Sequence, residues 1–166
     1  TTYSNAAEEY DGTTWTSVTV APYAVNNTAA FGTQTASVFA GGDPGSKNTS
    51  LEYGGSGSWT AGGTLTTGRA QSGGAGLAPL SAGLIWGGTP LSTATETYDG
   101  TSWTAGNVLP AGVQFGGGAG TQTAALSFGN FSGPTTITTA TTKFDGTSWT
   151  AAPALGSSQA RSQGSG

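Results

Sequence analysis

Asp11, Asp99 and Asp145 each stand directly before a glycine and four residues before a tryptophan, so carboxylate chemistry in this chain is to be sought there first. A carboxylate can act as a general acid or base, or as a calcium ligand. Calcium needs six or more oxygens drawn from several carboxylates at one place, and no stretch of this chain concentrates them. Turn formation is the simpler use of an aspartate placed before a glycine, and the equal placement of all three favours it. Glu8 and Glu9, the one adjacent acidic pair, suit a solvated strand end. Ser and Thr are abundant, but with no histidine, no cysteine and no lysine at a regular phase a nucleophilic hydroxyl would lack its base. The expectation is a protein with no catalytic residue, no metal and no cofactor.

The elements that carry these aspartates repeat. Tyr98-Asp99-Gly100-Thr101-Ser102-Trp103-Thr104 has near-copies at Tyr10 to Thr16, Tyr53 to Thr60 and Phe144 to Thr150. Their tryptophans, Trp15, Trp59, Trp103 and Trp149, are 44, 44 and 46 residues apart, the period of a four-stranded propeller blade. Other landmarks recur in the same order. A small-residue triplet follows each tryptophan (Ala30-Phe31-Gly32, Gly74-Ala75-Gly76, Gly118-Ala119-Gly120 and finally Gly164-Ser165-Gly166), and then comes a run closing on Gly41-Gly42, Gly87-Gly88 or Gly129-Asn130.

Only 7% of the residues are charged and 30 are glycine, yet sixteen aromatic residues recur at fixed phase, which separates the chain from disordered low-complexity sequence. No sustained helical periodicity is present, and the chain reads all-β. The formal charge of −4 is spread along the repeats and offers no basic footprint for nucleic acid. No apolar run approaches the roughly 20 residues of a membrane helix. Neither nucleic acid nor membrane is expected as a partner.

Four short strands are expected per repeat: around the small triplet, before the glycine doublet, up to the Tyr or Phe, and through the Trp. Asp-Gly suits the positive φ angles of a tight hairpin turn, which sets the two aromatics at its mouth. Burial of such rings stabilises by several kcal/mol each at about 25 cal/mol per Å2. The copy at Tyr53-Gly54-Gly55-Ser56-Gly57-Ser58-Trp59 lacks the aspartate and gains a residue, so its turn should be looser. In the second strands Val38, Leu84 and Leu126 align with one another, as do Ala40, Trp86 and Phe128, with small neighbours at Ser37, Gly83 and Ala125. Alternating bulky and tiny residues fit an inner strand between neighbouring sheets.

An apolar strand closing on Gly-Gly, an aromatic, and a tryptophan some six residues later resemble the kelch repeat. The likeness rests on Gly41, Gly42, Tyr53 and Trp59, on Gly87, Gly88, Tyr98 and Trp103, and, less closely, on Gly129, Phe144 and Trp149; Tyr10 and Trp15 end an earlier repeat. Asp99-Gly100 and Asp145-Gly146 mark the turns. Arg69, four residues after Leu65, resembles the arginine that often follows the tryptophan strand in that family, whereas Val113 holds the comparable place one repeat on. The resemblance implies an all-β β-propeller of four-stranded antiparallel blades: a partial blade over 1–20, blades over 24–62, 68–106 and 112–152, and the start of another over 158–166. In wording, Ala94 to Thr104 and Gly118 to Ala125 are similar to Thr/Gly-rich virion proteins of marine T4-like cyanophages. That implies a structural part such as a tail fibre or appendage, on the virion surface or otherwise extracellular, with other virion or surface subunits as partners and a role in host attachment. Kelch-type copper oxidases need histidine and cysteine, which this chain lacks. The turn segment also resembles the Asp-box of sialidase propellers, but a sialidase site needs an arginine cluster, and only Arg69 and Arg161 are present.

Binding and architecture remain. Propeller ligands dock on loops at the ends of the central channel. Tyr23, Phe115 and Phe131 lie outside the repeat landmarks, where a ring could stack on a cell-surface glycan or simply cover the core. A carbohydrate-binding module of a secreted or cell-surface bacterial protein is therefore the alternative. Three blades and a fraction should not close alone; the remainder is expected from flanking sequence, the chain being read as a segment of a longer polypeptide, or from neighbouring chains.

Overall fold

A computed structural model describes residues 3–55, 57–77, 80–133 and 135–159, so the triplet expected at 164–166 lies outside the described residues. Among those described there is no helix. The strands are β1 (Ala7–Tyr10), β2 (Trp15–Val18), β3 (Ala29–Thr33), β4 (Ala36–Ala40), β5 (Ser50–Gly54), β6 (Ser58–Ala61), β7 (Gly73–Gly76), β8 (Gly83–Trp86), β9 (Thr95–Tyr98), β10 (Trp103–Ala105), β11 (Gly117–Thr121), β12 (Ala124–Phe128), β13 (Thr141–Phe144) and β14 (Trp149–Ala152). They form three four-stranded antiparallel sheets, β3-β4-β5-β6, β7-β8-β9-β10 and β11-β12-β13-β14, preceded by the two-stranded sheet β1-β2.

Register follows from the landmarks. Tyr10 pairs with Trp15, Tyr53 with Trp59, Tyr98 with Trp103 and Phe144 with Trp149 across the last hairpin of each sheet. Their ring centroids are 4.7–5.1 Å apart. Glycine alone carries the positive φ in the Asp-Gly turns, at +98° (Gly12), +96° (Gly100) and +94° (Gly146). The aspartate stays out of the left-handed region and serves through its side chain.

The sheets stack face to face, and each core lies between two of them. Phe31, Val38 and Ala40 of the β3–β6 sheet meet Ile85, Tyr98 and Trp103 of the next; Leu84 and Trp86 meet Ala125, Phe144 and Trp149 of the one after. First strands pack on first strands, β3 on β7 and β7 on β11. Tiny residues of the first and second strands make room for this. A Cβ on Gly83 would land inside the Phe31 ring, and one on Gly118 would strike the Gly74 carbonyl oxygen. Gly41 and Gly87 take φ of +71° and +67° and bring the chain so close to the next connection that a Cβ would collide with the carbonyls of Arg69 and Val113.

Burial is not uniform along the array. Trp103 and Trp149 are each 6% exposed and Trp59 is half-buried, but Trp15 is 67% and Tyr10 43% exposed. The stabilisation expected from burying every signature aromatic is thus missing at β1-β2, because among the described residues no sheet packs on that face. At the other end Leu126 is 38% exposed although its counterparts Val38 and Leu84 are fully buried.

Candidate functional site

The three turn aspartates are not brought together. Asp99 Oδ1 accepts the amides of Thr101 and Ser102, both at 2.8 Å, and Oδ2 accepts the Ser102 hydroxyl at 3.0 Å. Asp11 and Asp145 repeat this set with Thr13 and Thr14 and with Thr147 and Ser148. The amide of the third following residue, then that of the second, holds each carboxyl below its usual range. A carboxylate fixed in its charged form at an exposed turn is a poor proton donor, and its oxygens are already engaged.

The chemistry of the molecule instead lies in clasps between successive sheets. The indole N–H of Trp103 donates to Ser50 Oγ at 3.2 Å and that of Trp149 to Thr95 Oγ1 at 2.9 Å, each reaching from a fourth strand to the third strand of the preceding sheet. Trp59 faces Ala7 at that place, without a hydroxyl, and donates to the Thr19 carbonyl at 2.7 Å. Tyrosine makes the second clasp. The Tyr53 hydroxyl donates to Glu9 Oε1 at 2.5 Å and the Tyr98 hydroxyl to Glu52, one repeat apart. Burial first, and then the Glu52 bond, pushes the Tyr98 hydroxyl up to about 12. In the next repeat Thr97 stands where Glu52 would, and Phe144, without a hydroxyl, where Tyr98 would.

A buried ion pair that sequence reasoning did not find ties the β6–β7 connection to β9 of the sheet it leads into. Arg69 and Glu96, 2% and 0% exposed, pair directly. Arg69 also donates from Nη1 to the carbonyls of Ala94 (3.1 Å) and Gly87 (3.3 Å), and Glu96 accepts the Thr66 amide at 2.7 Å. Burial lowers the Arg69 pKa and Glu96 opposes that shift. The signal was available: Glu96 stands two residues before a signature aromatic, as Glu8 does, and it alone has an arginine, Arg69, in the connection ahead of it.

A ladder of backbone amides runs beside the first strands. Asn27, Gln71 and Phe115, 44 residues apart, have φ of +53°, +62° and +55°. Side-chain residues other than Asn and Asp rarely adopt that conformation. The Gln71 amide donates to the Asn27 carbonyl and the Phe115 amide to the Gln71 carbonyl, each at 2.8 Å. Each of these residues meets the one that follows its glycine pair: Asn27 Nδ2 donates to Asp43 Oδ2 at 3.2 Å, Thr89 bonds Gln71, and the rings of Phe115 and Phe131 lie 5.6 Å apart. Phe115 and Phe131 therefore occupy regular places in the repeat rather than positions outside it. Tyr23 lies elsewhere. Its hydroxyl donates to Thr49 Oγ1 at 2.7 Å, its ring carries the Lys47 ammonium 5.4 Å from the centroid, and it borders a groove of about 380 Å3 between β1-β2 and the next sheet, lined also by Phe39, Tyr53 and Trp59.

No protein-family model matches the chain, and no curated protein is similar to it in sequence.

Proposed function

We propose that the chain is a run of kelch-like blades of a β-propeller, a non-enzymatic structural and interaction module on the surface of a phage virion, in a tail fibre or appendage that contributes to host attachment. The observation that carries the reading is the recurrence of one interlock between successive sheets: a fourth-strand indole on a third-strand hydroxyl, and a tyrosine on a glutamate. Such a wedge-on-wedge arrangement, with first strands in mutual contact, suits blades around an axis. The acidic groups best placed for chemistry hold turns, which favours architecture over catalysis. The virion placement rests on the wording of the repeat.

Immunogold electron microscopy of purified phage particles tests both parts. Label on fibres or appendages with toroidal modules is expected; unlabelled particles would refute the placement, and straight rods would refute the propeller. The alternative, a carbohydrate-binding module of a secreted bacterial protein, draws on the half-exposed Phe115 and Phe131 rings beside the amide ladder. Glycan-array binding lost in Phe131→Ala would favour it.

A further inference from the structure

Four residues other than glycine take a positive φ among the described residues, and three of them, Asn27, Gln71 and Phe115, stand at one place in successive repeats. The chain gives glycine to thirteen other positions of positive φ, where it costs no strain. Asn tolerates that region, but Gln and Phe seldom enter it, and a side chain kept against such strain points to a use for the side chain. The use is not one repeated lock. A carboxylate meets Asn27, a hydroxyl meets Gln71 and a ring meets Phe115, so no single contact is carried from repeat to repeat. What is carried is an exposed or half-exposed side chain on a backbone fixed by the amide ladder. Gln71 and Thr89 lie beside the β7–β10 sheet, which has a sheet on either side, and both are still half-exposed; their access to solvent belongs to the complete repeat.

The polar groups there are one proton short. Thr89 Oγ1 meets Gln71 Oε1 and, at 3.0 Å, Gln114 Oε1, yet a hydroxyl has one proton and donates to only one of them. Turning one carboxamide over satisfies Thr89 and leaves that amide's oxygen open instead, so one acceptor still calls for a donor from outside. The Nε2 groups of Gln71 and Gln114 meet no acceptor among the described residues. Directly across from Gln114 is Phe131: their backbones exchange hydrogen bonds of 3.1 and 2.9 Å, which sets the carboxamide beside the Phe131 and Phe115 rings. Open amide donors and acceptors next to apolar rings match a sugar, with hydroxyls around its edge and C–H groups on its face. Asp43 is the one charged side chain in these contacts, and its negative charge disfavours an anionic sugar.

We infer that the side chains along the ladder form a binding strip for a neutral glycan, with the Gln71 and Gln114 carboxamides on sugar hydroxyls and Phe115 and Phe131 against the C–H face of a ring. The strip names the ligand class of the interaction module proposed above and rests on that reading.

Affinity electrophoresis of the full chain through gels holding β-glucan, mannan or galactan tests it, with polygalacturonate as the anionic comparison. Retardation by at least one neutral polymer, and less or none by polygalacturonate, is expected. In the retarding gel Gln114→Ala and Phe131→Ala should each weaken binding at least tenfold. Gln71→Gly separates recognition from structure. Relief of the backbone offsets the extra freedom that glycine gives the unfolded chain, so the melting temperature should change little while binding falls at least fivefold. No retardation by any neutral polymer, retardation by polygalacturonate as strong as by the neutral ones, or a Gln71→Gly variant that binds unchanged or melts more than about 5 °C lower would overturn the inference. Immunogold label on phage fibres with an unretarded chain removes the strip alone; unlabelled particles with a retarded chain remove the virion placement alone.

Discussion

Removing the carboxylate charge of Glu96 should be the most damaging conservative change in the molecule. In Glu96→Gln the side chain keeps its volume and an oxygen for the Thr66 amide, but Arg69 is left charged and buried with only carbonyls around it. Breaking a buried ion pair from one side typically costs about 3–5 kcal/mol, and the retained carbonyl contacts to Ala94 and Gly87 place this case near ~3 kcal/mol. Arg69→Val should cost a comparable ~3 kcal/mol, since it strands Glu96. The chain supplies its own control: one repeat earlier the corresponding residues are Val25 and Leu51, both on the wall of the groove. Arg69→Val combined with Glu96→Leu should therefore return to within about 1 kcal/mol of the parent, because a hydrophobic pair of similar volume often replaces a buried ion pair without loss. Urea unfolding of the parent, Arg69→Val, Glu96→Leu and their combination measures the cycle, with Glu96→Gln beside it as the change that keeps the volume. A Glu96→Gln cost below about 1 kcal/mol, or a double variant no better than the worse single one, would refute the argument that Arg69 and Glu96 act as a unit.

Trp103→Phe removes a buried indole N–H and leaves Ser50 without its donor, so a loss of about 2 kcal/mol is expected by chemical denaturation, against about 0.5 kcal/mol or less for Trp15→Phe in dilute monomer. Gly83→Ala drives a methyl into the Phe31 ring and should lower stability by about 1–3 kcal/mol, recovered in part by Phe31→Leu and read from thermal melts. Because the turn carboxyls of Asp11, Asp99 and Asp145 lie below their usual range, their stabilisation is complete above about pH 4 and is lost as pH falls through the lowered values; Asp99→Asn should flatten that acid limb. Tyr98 has the opposite sign. Its stabilisation is present below pH 10.0 and disappears as pH rises towards about 12, a limb that Tyr98→Phe should flatten in equilibrium unfolding followed by circular dichroism.

Most of the strand order was legible because each landmark answers a backbone requirement that few residues meet. Gly41 and Gly87 sit where a Cβ would strike a carbonyl, and Gly100 carries the one positive φ of its turn, so a single residue type recurs and shows itself. Asn27, Gln71 and Phe115 meet an equally strict requirement with three different side chains, held by the amide ladder rather than by an intrinsic preference. Nothing in their composition betrays them; only their 44-residue spacing does. Burial was the other illegible quantity. Trp15 and Trp103 stand in nearly the same words, Asp-Gly-Thr-Thr-Trp and Asp-Gly-Thr-Ser-Trp, yet differ tenfold in exposure because one has a preceding sheet to lean on.

Departures from the repeat follow a rule that lies between sheets rather than within them. Glu9 stands opposite Tyr53 and Glu52 opposite Tyr98, but once Thr97 replaces the glutamate the next aromatic is Phe144, which has no hydroxyl to satisfy. Arg69 occurs with Glu96, and where Val25 replaces the arginine Leu51 replaces the acid. The first match joins one sheet to its neighbour and the second joins a sheet to the connection that leads into it, and in both a polar group left alone would cost more than either matched pair. The consequence is an ordered stack. Exchanging the β3–β6 and β7–β10 sheets would set Tyr53 against Thr97 and Phe144 against Glu52, so units that look interchangeable in sequence are each specified for one neighbour.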